Sequence, residues 1–179
     1  MKWSKVKVLA EDFLCESLKG RVQYQVVVHR KSHDQTSSLR ITLDGKEIFR
    51  ASDIPYEMAV NRRGRELQWE REIEFPWEIP WPEIEDSEDY KAYHRAHADG
   101  VAEVESQEVF HSSEVKSLLF DYIHMPFEEA VSHAHPFVRA VSLFDRRFGK
   151  RRLVAMDGKQ ETGLFKTFYR IRMQADLQA

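Results

Sequence analysis

The stretch DRRFGKRRL, residues 145 to 153, holds Arg146, Arg147, Lys150, Arg151 and Arg152 within seven positions. A cluster of this kind can contact phosphate, fixing the register of a nucleic acid without reading its bases. Helix chemistry offers a second use for the same charges. Phe137, Val141, Phe144 and Phe148 recur at i, i+4, i+7 and i+11, so the spacing predicts a helix with an aromatic inner face. Gly149 then suits a left-handed C-cap, and Arg146 and Arg147 fall where cations meet the free carbonyls of a last turn. Lys150, Arg151 and Arg152 lie past that cap and escape this account.

A second concentration of chemistry is acidic and aromatic. From Glu70 to Asp89 there are nine carboxylates against Arg71 alone, interleaved with Trp69, Trp77 and Trp81. Pro76, Pro80 and Pro82 exclude a helix interior or a central strand, so the spacing predicts an irregular, polyproline-stiffened loop at about 74–86. Tryptophans on stiff backbone supply contact area at low entropic cost. Trp77, Trp81, Glu78 and Glu83 are therefore the candidates for binding a protein partner or a second copy of the chain. In the competing reading the indoles fold back onto the helices and the acids solvate the outside. In a third, the acidic loop docks on the basic segment of its own chain or of a symmetry mate, and the latter gives a homodimer.

Catalytic chemistry is harder to find. His94 and His97 stand at i and i+3, His133 and His135 flank a helix end, and His29, His33 and Asp34 surround the first loop. A metal site needs three or four converging ligands, and no HExxH pattern supplies them, so a histidine-dependent metal hydrolase is only a remote third reading. Cys15 lies in a segment read as helix, among Phe13, Leu14 and Leu18, where a buried thiol is inert. The sequence contains no GxSxG, P-loop or GxGxxG. No catalytic residue, no metal ligand and no cofactor is assigned.

The elements that must position these clusters are read from period and punctuation. Residues 4 to 18 predict a helix, with Ser4 as cap and Gly20 as the stop. VQYQVVVHR alternates as a half-buried strand does, with Val22, Tyr24, Val26 and Val28 against Gln23, Gln25, Val27 and His29, and Asp44-Gly45 predicts a tight hairpin turn. That turn sets Leu43 opposite Lys46 and Ile41 opposite Ile48, with Leu39, Ile41, Leu43 and Ile48 on one face. After Arg50 helices take over: one from Ser52 or Asp53 to about Trp69–Glu72, weakened by Gly64, one from about Ser87, and others at SSEVKSLLFDYI, MPFEEAVSHA, HPFVRAVSLFDRRF and GLFKTFYRIRMQAD. In the last, Leu164, Phe165, Phe168 and Ile171 form the apolar stripe.

Composition sets the frame. The chain has 179 residues, is 42% hydrophobic and carries a net charge of −3, which suits one folded α+β domain over residues 1–179. Residues 1–50 form the helix plus antiparallel sheet, and 51–179 are mainly helical. The small net charge provides no global field for nucleic acid or acidic lipid. Cys15 is the only cysteine, so no intramolecular disulfide forms. No stretch suits a secretory signal or a membrane span, which leads us to expect a cytoplasmic protein with no membrane partner.

The MKWSK start, LKGRVQY, the HD…RITLDGKEI hairpin and DRRFGKRRL together resemble a family of short, uncharacterised bacterial proteins. DRR-x-GKRRL is the most specific of these elements, and residues 54–110 carry little of the likeness. The resemblance implies a bacterial cytoplasmic protein with helices after a small sheet, and it transfers no catalytic residue. A chain of this size without catalytic motifs is also similar in kind to mobile gene cassette products.

Overall fold

A computed structural model describes residues 2–29, 36–156 and 163–178. His33 and Asp34 of the first-loop histidine group lie outside these residues. The chain divides into two compact units, residues 1–52 with 111–179 and residues 53–110.

In the first unit, α1 (Trp3–Asp12) turns Val6 and Ala10 inward and packs on β1. The helix ends six residues before the expected position 18, and its N-cap is Lys2, not Ser4. Backbone partners from a distant segment account for the early stop. The Cys15 N–H donates to Phe144 O at 2.8 Å, the Arg146 N–H donates to Phe13 O at 2.7 Å, and Leu14 bridges Asp145. A helix continued through Phe13–Cys15 would leave these buried groups to find other partners. Gly20, at φ 77°, then redirects the chain into the sheet.

Strands β1 (Val22–Val28), β2 (Ser37–Leu43) and β3 (Lys46–Ser52) form an antiparallel sheet in sequence order. Asp44 and Gly45 turn at φ 50° and 80°, as the hairpin requires. Leu43 faces Lys46 as expected, but an irregularity at Ile41/Thr42 places Ile41 opposite Phe49 rather than Ile48. Because side chains alternate, that single step moves Phe49 and Ala51 into the core beside Leu39 and Ile41, and Ile48 is only half-buried.

Helix α4 (Ser112–Tyr122) lies against β2, β3 and α1, and α6 (Pro136–Ser142) packs on α4, α5 (Phe127–Ser132) and α8 (Gly163–Gln178). The short α7 spans Lys150–Ala155. Aromatic rings fill the interior: Phe137 meets Phe49 at 5.2 Å, and Phe144 stacks on Phe168 at 4.4 Å. The result is the expected α+β arrangement, a helix on a three-stranded sheet followed by a mainly helical half.

The second unit is a helical hairpin. α2 (Asp53–Glu70) runs antiparallel to α3 (Glu88–Ser106), which Ser87 caps by accepting the Tyr90 N–H at 3.2 Å. Gly64 is no mere weak point. It is buried under the His97 side chain and faces Gly100, so the two backbones meet with no side chain between them. The seam is flanked by the Arg63–Glu103 ion pair at 2.7 Å and by Tyr56 Oη donating to Glu105 at 2.8 Å.

Candidate functional site

The acidic aromatic loop begins where α2 ends. Glu72 takes a positive φ of 54°, and the Ile73 N–H returns to Gln68 O at 2.8 Å, closing the helix. Prolines then forbid regular structure and short turns hold the chain instead: Trp77 N–H to Phe75 O at 2.9 Å, Ile79 N–H to Pro76 O at 3.2 Å, and Ile84 N–H to Pro80 O at 3.1 Å. A 3-10 turn, Glu83–Asp86, follows, and its Ile84 is the buried anchor.

The rings of this loop share a base on α3. Phe75 packs against Tyr93 at 5.2 Å, Tyr90 at 5.8 Å and Trp77 at 4.4 Å, and Trp81 meets Tyr90 edge-on at 6.2 Å. Trp77 and Trp81 are the outer members and remain 84% and 65% exposed. Trp69, at the end of α2, is 85% exposed. The indoles therefore do not fold back into the interior. Glu78 and Glu83 are exposed beside them, as are Glu72, Glu74, Glu85, Asp86 and Asp89. Among the described residues none of these seven carboxylates has an ion-pair partner. Glu70 and Glu88 do, with Arg63 and with Lys91 and Arg95.

The basic stretch departs from its expected form. α6 stops at Ser142, so Phe144 and Phe148 are buried as expected but lie outside the helix. Gly149 has φ −67° and ψ 146°, extended values, and stands before α7 as its N-cap rather than after α6 as a left-handed C-cap. The physical reason is Arg172. Its buried guanidinium donates to Leu143 O at 2.7 Å, Asp145 O at 3.1 Å and Phe148 O at 3.0 Å, and to the Asp176 carboxylate at 2.9 Å. Carbonyls that a glycine cap would leave to the backbone are satisfied here by one side chain.

Asp145 is the second hub. Its buried carboxylate accepts the Tyr122 hydroxyl at 2.6 Å, the Arg147 backbone N–H at 2.8 Å, and the Arg147 guanidinium at 2.6 Å. The same guanidinium lies over Phe13, 4.4 Å from the ring centre. Arg152 forks onto Glu128 at 2.7 and 2.8 Å and lies near Phe148. Among the described residues Lys150 donates a single hydrogen bond, to the Asp176 carbonyl at 3.4 Å. Arg146 and Arg151 are exposed, and among the described residues no side-chain partner holds them. The five cations thus divide: Arg147 and Arg152 build the fold, while Arg146, Lys150 and Arg151 face water.

Burial pushes the Tyr122 hydroxyl well above the ordinary tyrosine range, with the Asp145 charge adding to it. Tyr24 is raised in the same way, by burial first and then by Glu11 and Asp145, and among the described residues its hydroxyl has no hydrogen-bond partner. Both groups stay protonated in the folded chain above pH ~10, where the unfolded chain has released those protons. Stability is therefore complete below pH ~10 and falls as pH rises, by about 1.4 kcal/mol per pH unit for each tyrosine. Tyr24→Phe loses no hydrogen bond, so urea unfolding should show it unchanged or more stable at pH 7, with roughly half the alkaline slope. A slope equal to that of the unmodified chain would refute the assignment.

The histidines are dispersed. His94 lies tilted against Tyr90 at 4.2 Å, His97 covers Gly64, and His133 Nδ1 accepts the His135 N–H at 3.0 Å. Among the described residues no group of three or more His, Cys, Asp or Glu is placed to hold a metal ion. No described helix is long and apolar enough to cross a membrane. Cys15 is buried as expected, outside any helix, with Sγ 3.2 Å from Ser17 Oγ.

These features define an α+β protein with a three-stranded antiparallel sheet, a helical hairpin, and an exposed aromatic and acidic loop on that hairpin. The chain belongs to the SF0329 protein family, whose model matches residues 2–173. That match includes residues 54–110, where the sequence motifs carry little likeness. No curated protein and no solved structure matches the chain.

Proposed function

We propose that this chain is a small cytoplasmic interaction protein, not an enzyme, that docks a protein partner through the loop carrying Trp77, Glu78, Trp81 and Glu83. The exposure of both indoles above a ring base, beside carboxylates that the described residues leave unpaired, carries the reading. Large apolar rings facing water are what a binding hot spot presents before its partner arrives. The single buried cysteine suits a reducing compartment. Phosphate contact by the basic stretch is the weaker reading, since Arg147 and Arg152 are already held by Asp145 and Glu128.

The test is a paired comparison. The double variant Trp77→Ala/Trp81→Ala should keep its helical circular dichroism and lose roughly 1 kcal/mol of stability or less, as surface changes do. In quantitative affinity capture it should retain a specific partner about thirtyfold less well than the unmodified chain, the result of truncating a hot spot worth ~2 kcal/mol. Equal retention of every captured protein by both chains would end the proposal.

A further inference from the structure

We infer, building on that reading, that the Phe75–Trp77–Trp81–Tyr90 ring cluster receives cationic side chains, arginine foremost, from a basic segment of a separate partner protein. An indole face is the strongest aromatic acceptor for a cation, and Trp77 and Trp81 are the exposed ends of the cluster. The described residues of the hairpin unit leave both indoles exposed. Among the described residues every cation–ring contact uses Arg147 or Arg152, on Phe13, Phe127 or Phe148.

Those internal contacts show the chemistry that the loop half-assembles. Arg147 forks onto Asp145 while its Cζ lies over the Phe13 ring, and Arg152 forks onto Glu128 beside Phe127 and Phe148. Each joins one guanidinium to one carboxylate and at least one ring. The loop repeats the acceptor side of that arrangement, with Glu74 next to Phe75, Glu78 next to Trp77 and Glu83 two residues past Trp81. Among the described residues the nearby guanidiniums are already engaged: Arg71, the one cation between Glu70 and Asp89, by Asp99 at 2.6 Å, and Arg95 by Glu88 at 3.7 Å.

Charge selects the same occupant. The unpaired acids attract a basic surface, speed its encounter and repel an acidic one, nucleic acid included. Arginine is favoured over lysine because its planar group stacks on a ring while forking onto a carboxylate, and its weaker hydration lowers the cost of burial.

The experiment titrates the intact chain with three peptides of one sequence, rich in arginine, lysine or citrulline, the last being neutral and close to arginine in shape. The readouts are tryptophan fluorescence and the indole N–H resonances. The arginine peptide should shift the Trp77 and Trp81 signals and leave Trp3 unmoved, the lysine peptide should bind more weakly, and the citrulline peptide should not bind. Affinity should fall as salt rises. It should drop about tenfold in Trp77→Ala and in Glu74→Gln/Glu78→Gln/Glu83→Gln. Arginine-peptide binding that ignores these substitutions, or no indole shift at all, overturns the inference. Equal binding of the citrulline and arginine peptides, still lost in Trp77→Ala, overturns it while leaving the docking loop standing. If no peptide shifts the indoles and capture is also indifferent to Trp77 and Trp81, both fall. A concentration-dependent dimer broken by Arg146→Glu/Arg151→Glu overturns the separate partner in favour of a second copy.

Discussion

Replacing Arg172 by alanine should cost about 4 kcal/mol, a large share of the 5–15 kcal/mol that holds a typical domain together. The side chain is buried and donates to the carbonyls of Leu143, Asp145 and Phe148 and to the Asp176 carboxylate. Truncation removes all of these bonds, leaves a cavity, and strands buried acceptors that water reaches poorly. Arg172→Met refills much of the volume without donors, and Arg172→Lys keeps the charge without the fork. Neither should recover more than about half the loss if hydrogen bonding dominates. Urea unfolding should show the midpoint falling at constant m.

A pH readout separates this role from simple packing. Burial disfavours the Asp176 carboxylate, but hydrogen bonds from Ser17 and Arg172 outweigh it and hold its ionisation below the ordinary aspartate range. A depressed group contributes stability above the unfolded pKa of about 3.9 and loses it as pH falls through the folded value. Without Arg172 that contribution shrinks, so Arg172→Ala should show a shallower acid limb as well as lower stability at pH 7. Arg172→Ala within 1 kcal/mol of the unmodified chain would refute the hub.

Arg172 also marks how far the sequence could be read. Phe165, Phe168, Arg172 and Ala175 fall at i, i+3, i+7 and i+10, a helical stripe, and all four are buried. The period is visible in the sequence, yet a charged residue on the stripe favours Ile171 as the inward position, and Ile171 is only half-buried. The hairpin turn at Asp44-Gly45 was legible because so few residue pairs accept positive φ. The slip of pairing at Ile41 was not, since no local preference distinguishes Ile48 from Phe49 as the inward residue. The ends of α1 and α6 were likewise hidden. The first is set by the contact between Phe13–Cys15 and Phe144–Arg146, more than 125 residues apart in the chain, and the second by that contact together with the bonds from Arg172. The candidate loop showed a mixed outcome: its proline content announced irregular backbone, but whether Trp77 and Trp81 were covered depended on tertiary packing alone.

Gly100→Ala should damage the helical hairpin, and Gly64→Ala should not do so to the same degree. A Cβ at Gly100 would sit 2.8 Å from Gly64 N, 3.0 Å from Gly64 Cα and 3.2 Å from Arg63 C. These are backbone atoms and cannot rotate aside, so α2 and α3 must separate along the seam. Overpacking of this kind costs roughly 1–3 kcal/mol directly, offset by about 1 kcal/mol from the better helix propensity of alanine. Separation also strains the Arg63–Glu103 pair, so a net loss of about 2 kcal/mol is expected at Gly100. At Gly64 the closest atom is His97 Nδ1 at 2.6 Å, a side-chain atom, with the His97 Cγ and Cα at a tolerable 3.4 Å. There the imidazole can swing away and the propensity gain remains, so the change should fall within about 1 kcal/mol of zero. Hydrogen exchange should place the Gly100→Ala loss in the amides of α2 and α3, with the β1–β3 amides keeping their protection. Equal effects at the two glycines would show that helix propensity, rather than the backbone contact between them, governs the seam.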